Sequence, residues 1–482
     1  MFIHFRKIFL VFTILVLSPC LFAASDLWGC FYVKQIHQTV YHNFWLKGHW
    51  TGSPELYGNS EGHVPNYKIG DGEVWNDLND NGVIYCPPGP IPQPPAAPYD
   101  YTRPFIFKKG TNFQIGDVTF RGYNLLAFHL MNQKINITSD DVGLDKVITN
   151  IPGTFYVYYG QLITGKVLDK IASENIEIKW TIGNCEHSAG YHEQPEYEND
   201  MDRDTLTTNH KMYVIGANNI SGALDHTLVD LGCEVAANKT TDDDIFDAIW
   251  AKISDKQVPR IDKKETPGNN TFLKYWGPKT QTGAISGTGE IDSLDKLLAN
   301  EDGNCYSWTE LVKETLRIQG VTTNIKEHVI FFKGVLYNVP ITIAHKTITQ
   351  EGEEETHDDT VVGFLQKTGD VQGGTIDLKH PVNLEYSGPL VYKLEPIVFG
   401  NHSIFSHYST KDARTYYYDP GPGKGEYENI PLLIKDGIEI ATKCPVDENN
   451  KRWVKCVEFT ENEIKNIFKY GEKIGERIIW AQ

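Results

Sequence analysis

Apolar and polar positions alternate along one part of the chain and recur at three- and four-residue spacings along another. Between residues 111 and 185, β-rich runs are separated by turn residues, and Ile176, Ile178 and Trp180 alternate with polar side chains. A two-residue period is typical of strands that bury one face. We therefore predict a β-sandwich-like module over 111–204, followed by a region whose longer period indicates helices.

Apolar stripes beyond residue 205 predict several core helices. The helix of the second stripe begins at Thr241, whose hydroxyl can cap it, and the acidic residues 242–244 lie at the positive end of its dipole. Another helix is predicted over 291–299, and a last one begins with a capping box at 460–463. The stripes are Leu224, Leu228, Leu231 and Val235; Ile245, Ile249 and Ile253; and Ile464, Ile467 and Phe468.

Two other stretches have a composition of their own. Residues 329–399 are β-like and are interrupted by the acidic segment 351–355, which we interpret as a charged hairpin tip. Residues 25–110 are rich in Trp, Tyr, Gly and Pro and end in a proline run that cannot donate ladder hydrogen bonds. We interpret that run as a linker or a sheet edge.

The first residues have the three parts of a secretory signal peptide. A basic pair at 6–7 precedes an apolar run over 8–17, and the small pair 23–24 follows. The apolar run is shorter than the ~20 residues of a membrane span, and no later segment approaches that length. We therefore expect a signal peptide at 1–24 and a mature chain that is secreted or periplasmic, with no integral membrane segment.

Composition and charge narrow the class of protein. The 482 residues are 40% apolar and 22% charged, which supports a globular core, and ~150 residues per domain indicate about three domains. The formal net charge of −18 argues against a nucleic-acid partner and against an acidic membrane surface. The predicted divisions are the signal peptide 1–24, a Pro/aromatic-rich N-terminal region 25–110, the module 111–204 and a C-terminal domain 205–482.

The cysteine count is odd once the signal peptide and its Cys20 are removed. In an oxidising compartment thiols normally pair, so one of the seven should stay reduced. Cys305 is the best candidate, because its local sequence predicts a helix start, and Cys444 with Cys456 could cross-link a hairpin. A buried thiol or an intermolecular bond is the alternative. The seven are Cys30, Cys86, Cys185, Cys233, Cys305, Cys444 and Cys456.

Cys305 is predicted to lie at the N-terminus of an amphipathic helix. Asn304 can cap the first turn of this helix, and Gly320 ends it. Unpaired backbone N–H groups and the positive end of the dipole favour a thiolate at such a position. The same N–H groups can receive the oxyanion that forms when the sulfur attacks a carbonyl. The apolar face consists of Trp308, Leu311, Val312 and Leu316.

A base and a carboxylate follow in the chain. His402 lies in a strand-like run, and Asp419 ends a second run that we expect to be its antiparallel neighbour after a turn near 410–412. An imidazole beside the thiol could move a proton, and the carboxylate could orient it. The alternatives remain open, since a histidine in a strand is usually structural and an Asp-Pro pair usually forms a turn.

Four segments carry recognisable motifs: Gly303-Asn304-Cys305, Leu316-Arg317-Ile318-Gln319-Gly320, Asn401-His402 and Tyr417-Tyr418-Asp419-Pro420. Together they resemble the transglutaminase-like superfamily over residues 205–482. The resemblance implies a papain-like α+β fold with a Cys305, His402, Asp419 triad that acts on amide carbonyls. Asn304 stands where members often have glutamine, and the separation between Cys305 and His402 is long, so an insertion could reshape or cover the cleft. Trp276 is a candidate for the upstream oxyanion donor of such enzymes.

Two functions from different classes follow. In the first, 205–482 is a catalytic domain that forms a thioester on a protein or peptide substrate, either from a peptide bond or from a glutamine carboxamide. Water would then make it a protease or deamidase, and an amine acceptor would make it a cross-linking transglutaminase. In the second, the chain keeps the fold but is a non-catalytic adhesion or binding protein, because a fold does not fix a function.

The sequence offers little support for a metal or another cofactor. Residues 77–82 match the front of a calcium loop, but Pro88 occupies the position of the closing glutamate, so a polar turn is favoured. Cys185, His187, His192 and Glu193 lack the spacing of a zinc site. We therefore expect no required cofactor, with calcium as the weak candidate.

Overall fold

Strands predominate over helices, and the architecture is α+β. The chain forms two compact units: unit 1 comprises Met1–Lys47 and Lys68–Ala223, and unit 2 comprises Gly48–Tyr67 and Leu224–Gln482. The structure, a computed structural model, describes residues 31–37, 44–47, 73–76, 101–102, 104–122, 134–149, 156–159, 161–183, 205–260, 272–275, 293–300, 302–337, 341–348, 353–366, 369–372, 374–376, 383–384, 401–446, 452–457 and 461–481.

The described part of unit 1 is built from strands. Two five-stranded sheets have the orders β10-β7-β1-β3-β4 and β5-β13-β12-β8-β9, and β11 pairs with β6. The strands are β1 (Phe31–His37), β2 (Phe44–Lys47), β3 (Glu73–Asn76), β4 (Tyr101–Thr102), β5 (Phe105–Lys108), β6 (Thr111–Ile115), β7 (Asp117–Gly122), β8 (Lys134–Ser139), β9 (Leu144–Ile148), β10 (Tyr156–Tyr159), β11 (Ile163–Leu168), β12 (Ala172–Gly183) and β13 (Thr205–Ile215); β14 (Gly222–Asp225) crosses into unit 2.

The alternation predicted for β12 is confirmed. Ile176, Ile178 and Trp180 are buried, and the polar residues between them are exposed. β12 pairs with β13 from Ala172 opposite Val214 to Thr181 opposite Thr205. This long ladder ties β13 to unit 1, and the chain passes from unit 1 to unit 2 between Ala223 and Leu224. Residues 184–204, which include the end of the predicted module 111–204, lie outside the described residues.

Unit 2 combines helices with two larger sheets, of orders β25-β24-β23-β17-β28-β29 and β18-β19-β26-β27-β22. Its helices are α1 (His226–Val235), α2 (Asp242–Ser254), α3 (Leu294–Asn300), α4 (Cys305–Ile318), α5 (Lys333–Tyr337), α6 (Ile430–Gly437) and α7 (Glu461–Ile467). Its strands are β15 (Lys274–Tyr275), β16 (Asp302–Gly303), β17 (Ile325–Phe332), β18 (Ile341–Ile348), β19 (Glu354–Gln366), β20 (Gly369–Val371), β21 (Gly374–Ile376), β22 (Asn383–Leu384), β23 (Asn401–Ser409), β24 (Arg414–Asp419), β25 (Lys424–Tyr427), β26 (Ile438–Val446), β27 (Arg452–Val457), β28 (Phe468–Ile474) and β29 (Arg477–Trp480).

Helix α4 is the centre of the unit 2 core. α1, α2 and α3 pack against it, and it packs against β23. Its predicted apolar face, including Trp308 and Leu316, is fully buried. In α2 the Thr241 hydroxyl accepts a hydrogen bond from the backbone N–H of Asp244 at 3.1 Å, which confirms the predicted cap. At the end of α4, Gly320 adopts φ +87°, a conformation that glycine takes without strain.

Strands β18 and β19 are antiparallel partners that flank the acidic segment, and the cysteine predictions need correction. β18 and β19 pair from Ile341 opposite Val361 to Ile348 opposite Glu354, so part of the acidic segment lies in β19, and residues 349–352 lie outside the described residues. Cys305 is a reduced thiol, as predicted, but Cys233 is one as well. Cys233 lies in the buried face of α1, where the amide of Gln319 donates to its sulfur at 3.4 Å, so three bridges among the other six cysteines cannot form.

The predicted hairpin around Cys444 and Cys456 forms, but its register does not favour the bridge. β26 and β27 are antiparallel, and Cys456 lies opposite Ala441. Cys444 is therefore displaced by about 10 Å along the strand, at ~3.3 Å per residue. A disulfide needs Cα atoms within ~7 Å, so this register places the two backbone positions farther apart than a disulfide spans. Cys30, Cys86 and Cys185 lie outside the described residues.

Candidate active site

Cys305 occupies the first position of α4, as the sequence predicts. The side-chain oxygen of Asn304 accepts hydrogen bonds from the backbone N–H groups of Tyr306 at 3.0 Å and Ser307 at 3.3 Å. These bonds fix the first turn and hold the Cys305 backbone at its start. A Cβ at Gly303 would collide with the Ser307 hydroxyl, so the residue before the cap must be glycine in this packing. The cysteine is 2% exposed.

His402 and Asp419 come from neighbouring antiparallel strands. Phe405 of β23 lies opposite Tyr418 of β24, which puts Asp419 on the same face as His402 and diagonal to it. The Nε2–H of His402 donates to Asp419 Oδ2 at 2.7 Å, and each side chain is 1% exposed. Among the described residues, Asp419 Oδ1 has no hydrogen-bond partner. The carboxylate is therefore committed to the imidazole through one oxygen.

The Cys305 side chain also acts electrostatically on the His402 ring. Burial lowers the pKa of His402, but the charges of Asp419 and Cys305 and the hydrogen bond to Asp419 outweigh it and raise this pKa to about 10. At neutral pH the arrangement therefore stabilises the imidazolium form of His402, with the Asp419 carboxylate as its hydrogen-bond partner.

A hydrogen bond between the helix and the strand fixes the distance between the cysteine and the histidine. Thr309 lies one turn after Cys305, and its hydroxyl donates to the backbone carbonyl of Ser403 at 3.3 Å. Thr309 and Ser403 are fully buried. The contact therefore joins α4 to β23 at the residue that directly follows His402.

Two side chains near the triad were missed by the sequence reasoning. Tyr275 is buried in β15, opposite Gly303 in the register with β16; burial raises its pKa well above 10, and the charges of Cys305 and Asp419 add to this. It precedes Trp276, the predicted oxyanion donor, which lies outside the described residues. Gln372 is buried in the turn between β20 and β21. No local pattern marks Gln372, because its contacts are with distant segments.

A second buried His–Asp pair lies at the other end of β23. His407 Nε2 donates to Asp243 Oδ1 at 3.0 Å, and the ring stacks on Phe246 with centroids 3.8 Å apart. Burial lowers the pKa of His407 more than the contact with Asp243 raises it. Neither residue approaches a thiol in the contacts of the described residues, and the pair joins α2 to the sheet.

The candidate metal ligands that were weighed from the sequence lie outside the described residues. These are residues 77–82, together with Cys185, His187, His192 and Glu193; the expected signal peptide 1–24 lies outside them as well. Within the described ranges, no group of three or more His, Cys, Asp or Glu side chains is arranged to hold a metal ion. In the same ranges, no helix is both long enough and apolar enough to cross a membrane.

The chemistry open to Cys305, His402 and Asp419 is nucleophilic attack with acid–base help. A sulfur at a helix N-terminus, in contact with an imidazolium, has both the charge of a nucleophile and a proton donor beside it. Comparison with known proteins finds no family model, no curated protein and no solved structure that matches this chain. The function is therefore inferred from the site itself.

Proposed function

We propose that unit 2 is the catalytic domain of a papain-like cysteine enzyme similar to the transglutaminases, acting on amide carbonyls of a protein or peptide. The observation that carries this proposal is the convergence of three distant segments on one buried cluster. Cys305 at a helix start contacts His402, and His402 donates to Asp419 at 2.7 Å. A nucleophile, a base and an orienting carboxylate in this order are the parts of a catalytic triad.

The first half of the reaction forms a thioester. The Cys305 thiolate attacks the carbonyl carbon, a C–S bond forms, and the carbonyl electron pair moves to oxygen. The backbone N–H of Cys305 at the start of α4 stabilises the oxyanion. As the intermediate collapses, the C–N bond breaks and the His402 imidazolium gives its proton to the departing amine or ammonia. Asp419 keeps the imidazole oriented throughout.

The second half resolves the thioester. Neutral His402 takes a proton from water or from an amine, which then attacks the acyl carbon and expels the Cys305 thiolate. Water gives hydrolysis, and an amine gives acyl transfer. The outcome depends on how well the site excludes water once the substrate is bound.

Differential labelling of two buried thiols tests the proposal. Cys305 and Cys233 are both reduced and buried; Cys305 lies beside the His402 imidazole, and the Gln319 amide donates to the sulfur of Cys233. With iodoacetamide at about pH 6.5, where ordinary thiols are mostly protonated, Cys305 should react at least about tenfold faster than Cys233. Mass spectrometry of the modified peptides gives both rates in one sample. The Cys305→Ala variant should show no fast phase.

Equal, slow labelling of the two thiols would contradict the enzyme and favour the non-catalytic binding protein. The two enzymatic outcomes are separated by incubation with casein and a fluorescent amine. Incorporation of the amine into casein indicates a transglutaminase, peptide fragments indicate a protease, and release of ammonia alone indicates a deamidase. Cys305→Ala is the control for each product.

A further inference from the structure

Gln372 comes from the long segment between Cys305 and His402 and reaches the loop that carries Asp419. It is the turn residue after β20, in the short hairpin in which Val371 pairs with Gly374. The residue is 0% exposed, unlike most glutamines in turns, which face solvent. A buried amide in a turn requires partners, and its partners identify what the hairpin does.

The backbone of Gln372 bridges the segment before the cysteine and the segment after the carboxylate. Its carbonyl accepts from the N–H of Tyr275 at 2.9 Å, and its own N–H donates to the carbonyl of Gly421 at 3.0 Å. The Tyr275 ring lies directly on Gly421, where a Cβ would come within 2.5 Å of it. The hairpin turn is therefore hydrogen-bonded both to the backbone of Tyr275 and to that of Gly421, two residues after Asp419.

The side chain of Gln372 adds two hydrogen bonds to the same place. Its Nε2 donates to the carbonyl of Pro420 at 2.9 Å and to that of Ile253, near the end of α2, at 2.6 Å. One buried amide thus fixes the residue directly after Asp419 against a helix of the core. Both donor hydrogens are used, which leaves the amide one orientation.

Asp419 depends on this support more than an ordinary triad carboxylate would. Its Oδ2 meets His402, while Oδ1 has no hydrogen-bond partner among the described residues. With no second bond to hold the carboxylate, its direction follows the backbone of 419–421. That backbone is fixed by Gln372 at Pro420 and Gly421.

We propose that Gln372 is a positioning residue, which the insertion between Cys305 and His402 supplies to hold 419–421 so that Asp419 keeps its contact with His402. The inference rests on the proposed triad and gives the insertion a role in it. The groups that face His402 are Asp419 and Cys305, with Tyr275 beside both. A change in the Asp419 contact should therefore appear in the titration of His402 itself.

The test compares two buried glutamines that receive the same substitution. Gln372→Met removes the two donors and keeps the length of the side chain. Gln319→Met is the matched control, since Gln319 is buried at the other end of α4, where it contacts Cys233. The His402 titration is followed by NMR in the full chain labelled with ¹⁵N-histidine, and its signal is assigned by its loss in His402→Gln.

The wild-type chain and Gln319→Met should both show His402 titrating near pH 10, as its pKa of about 10 requires. In Gln372→Met the midpoint should move about one pH unit lower, a tenfold loss of preference for the imidazolium. Where Cys305 turns over substrate, kcat should fall in Gln372→Met with KM unchanged. A His402 midpoint in Gln372→Met equal to that of the wild type would overturn the positioning role and leave the triad standing.

A wild-type His402 that titrates near its ordinary value of 6.5 would overturn both the triad and the positioning role. If Gln372→Met does not fold by circular dichroism, Gln372→Asn takes its place, because it keeps the amide but shortens its reach. The Gln372→Asn variant should lower the midpoint in the same direction by a smaller amount. An unchanged midpoint in this variant would also overturn the role of Gln372.

Discussion

The two ends of strand β23 carry two buried His–Asp pairs that differ in almost everything except their residue types. His402 with Asp419 and His407 with Asp243 have N–O distances of 2.7 Å and 3.0 Å, and all four side chains are buried. The two histidines are five positions apart in the strand, so they lie on opposite faces. The first pair meets a thiol, and the second meets an aromatic ring.

The two carboxylates differ in the other groups that they bind. The second carboxylate oxygen of Asp243 accepts hydrogen bonds from the hydroxyl of Thr410 at 2.6 Å and from the backbone N–H of Lys411 at 2.9 Å. It therefore fixes the turn between β23 and β24 while it receives His407. Asp419 Oδ1 has no such partner among the described residues. A carboxylate that accepts hydrogen bonds from several donors holds those segments together. A carboxylate that accepts only from the imidazole mainly sets the orientation and the charge of that ring.

The pKa values follow the same division. That of His407 is lowered, first by burial, and that of His402 is raised to about 10 because the charges of Asp419 and Cys305 outweigh burial. A His–Asp contact alone is therefore not the mark of this site. The thiol is the group that distinguishes the two pairs.

The largest expected effect comes from the same substitution at the two histidines. His402→Gln should slow iodoacetamide labelling of Cys305 at about pH 6.5 by on the order of 10²-fold, because the thiolate loses its counter-ion. Any acyl transfer should fall by ~10²–10⁴-fold with the loss of the base. His407→Gln should leave both rates within about threefold and instead lower the free energy of unfolding by about 1–3 kcal/mol, since Asp243 loses a buried partner.

Rates come from mass spectrometry of the Cys305 peptide, and stability comes from urea unfolding of the same samples. A His407→Gln variant that loses labelling as strongly as His402→Gln would mean that both pairs serve the thiol. The distinction between the two ends of β23 would then be wrong.

An intermediate effect is expected in the pH dependence of stability. The folded pKa of His407 lies below 6.5, so the stability that neutral His407 contributes is present above pH 6.5 and is lost as the pH falls. The pH dependence of the stability that His402 contributes has the opposite sign. This contribution is present below pH 6.5 and is lost as the pH rises toward about 10. Each can change stability by up to about 1.4 kcal/mol per pH unit.

Hydrogen exchange of the β23 amides measures this in unit 2 without interference from unit 1. The difference between wild type and His407→Gln should shrink on acidification, and that between wild type and His402→Gln should shrink in alkali. Parallel trends for the two variants would show that both histidines carry the same charge.

The sequence predicted the parts of the site that are local and missed those that are not. Asn304 and Cys305 could be placed because a capping residue and the apolar stripe of a helix are patterns that a short stretch of sequence contains in full. The pairing of His402 with Asp419 follows from one hairpin. Asp243 and Gln372, by contrast, meet their partners across long stretches of chain, and no periodicity reports such contacts.

The same reason explains the errors in the fold. The cysteine count assigned Cys233 to a disulfide because a count takes no account of packing, whereas Gln319, just after α4, donates to its sulfur. The change of period that we placed at residue 205 comes only after β13, which pairs with β12 from Thr205 to Val214. Tertiary pairing overrides both kinds of local signal.

The smallest expected effect concerns the contact that holds the helix to the strand. Thr309→Val removes the hydroxyl that donates to Ser403 at 3.3 Å and keeps the shape of the side chain. Labelling of Cys305 should slow by about two- to tenfold, the equivalent of one ordinary hydrogen bond. Thr315→Val is the matched control, because Thr315 is buried on the same helix and donates within it, to Leu311 at 2.8 Å.

Both valine variants should lose similar stability, so thermal melts do not separate them, and the labelling rate does. If Thr309→Val slows labelling and Thr315→Val does not, the contact acts on the spacing between Cys305 and His402 and not on the helix as a whole. Equal labelling in the two variants would mean that packing of α4 against β23 sets the spacing without this hydrogen bond. In that case the reactivity of Cys305 depends on its contacts with its neighbours and not on the Thr309 hydrogen bond. Thr309 would then contribute only to the stability of the fold, as Asp243 does at the other end of β23.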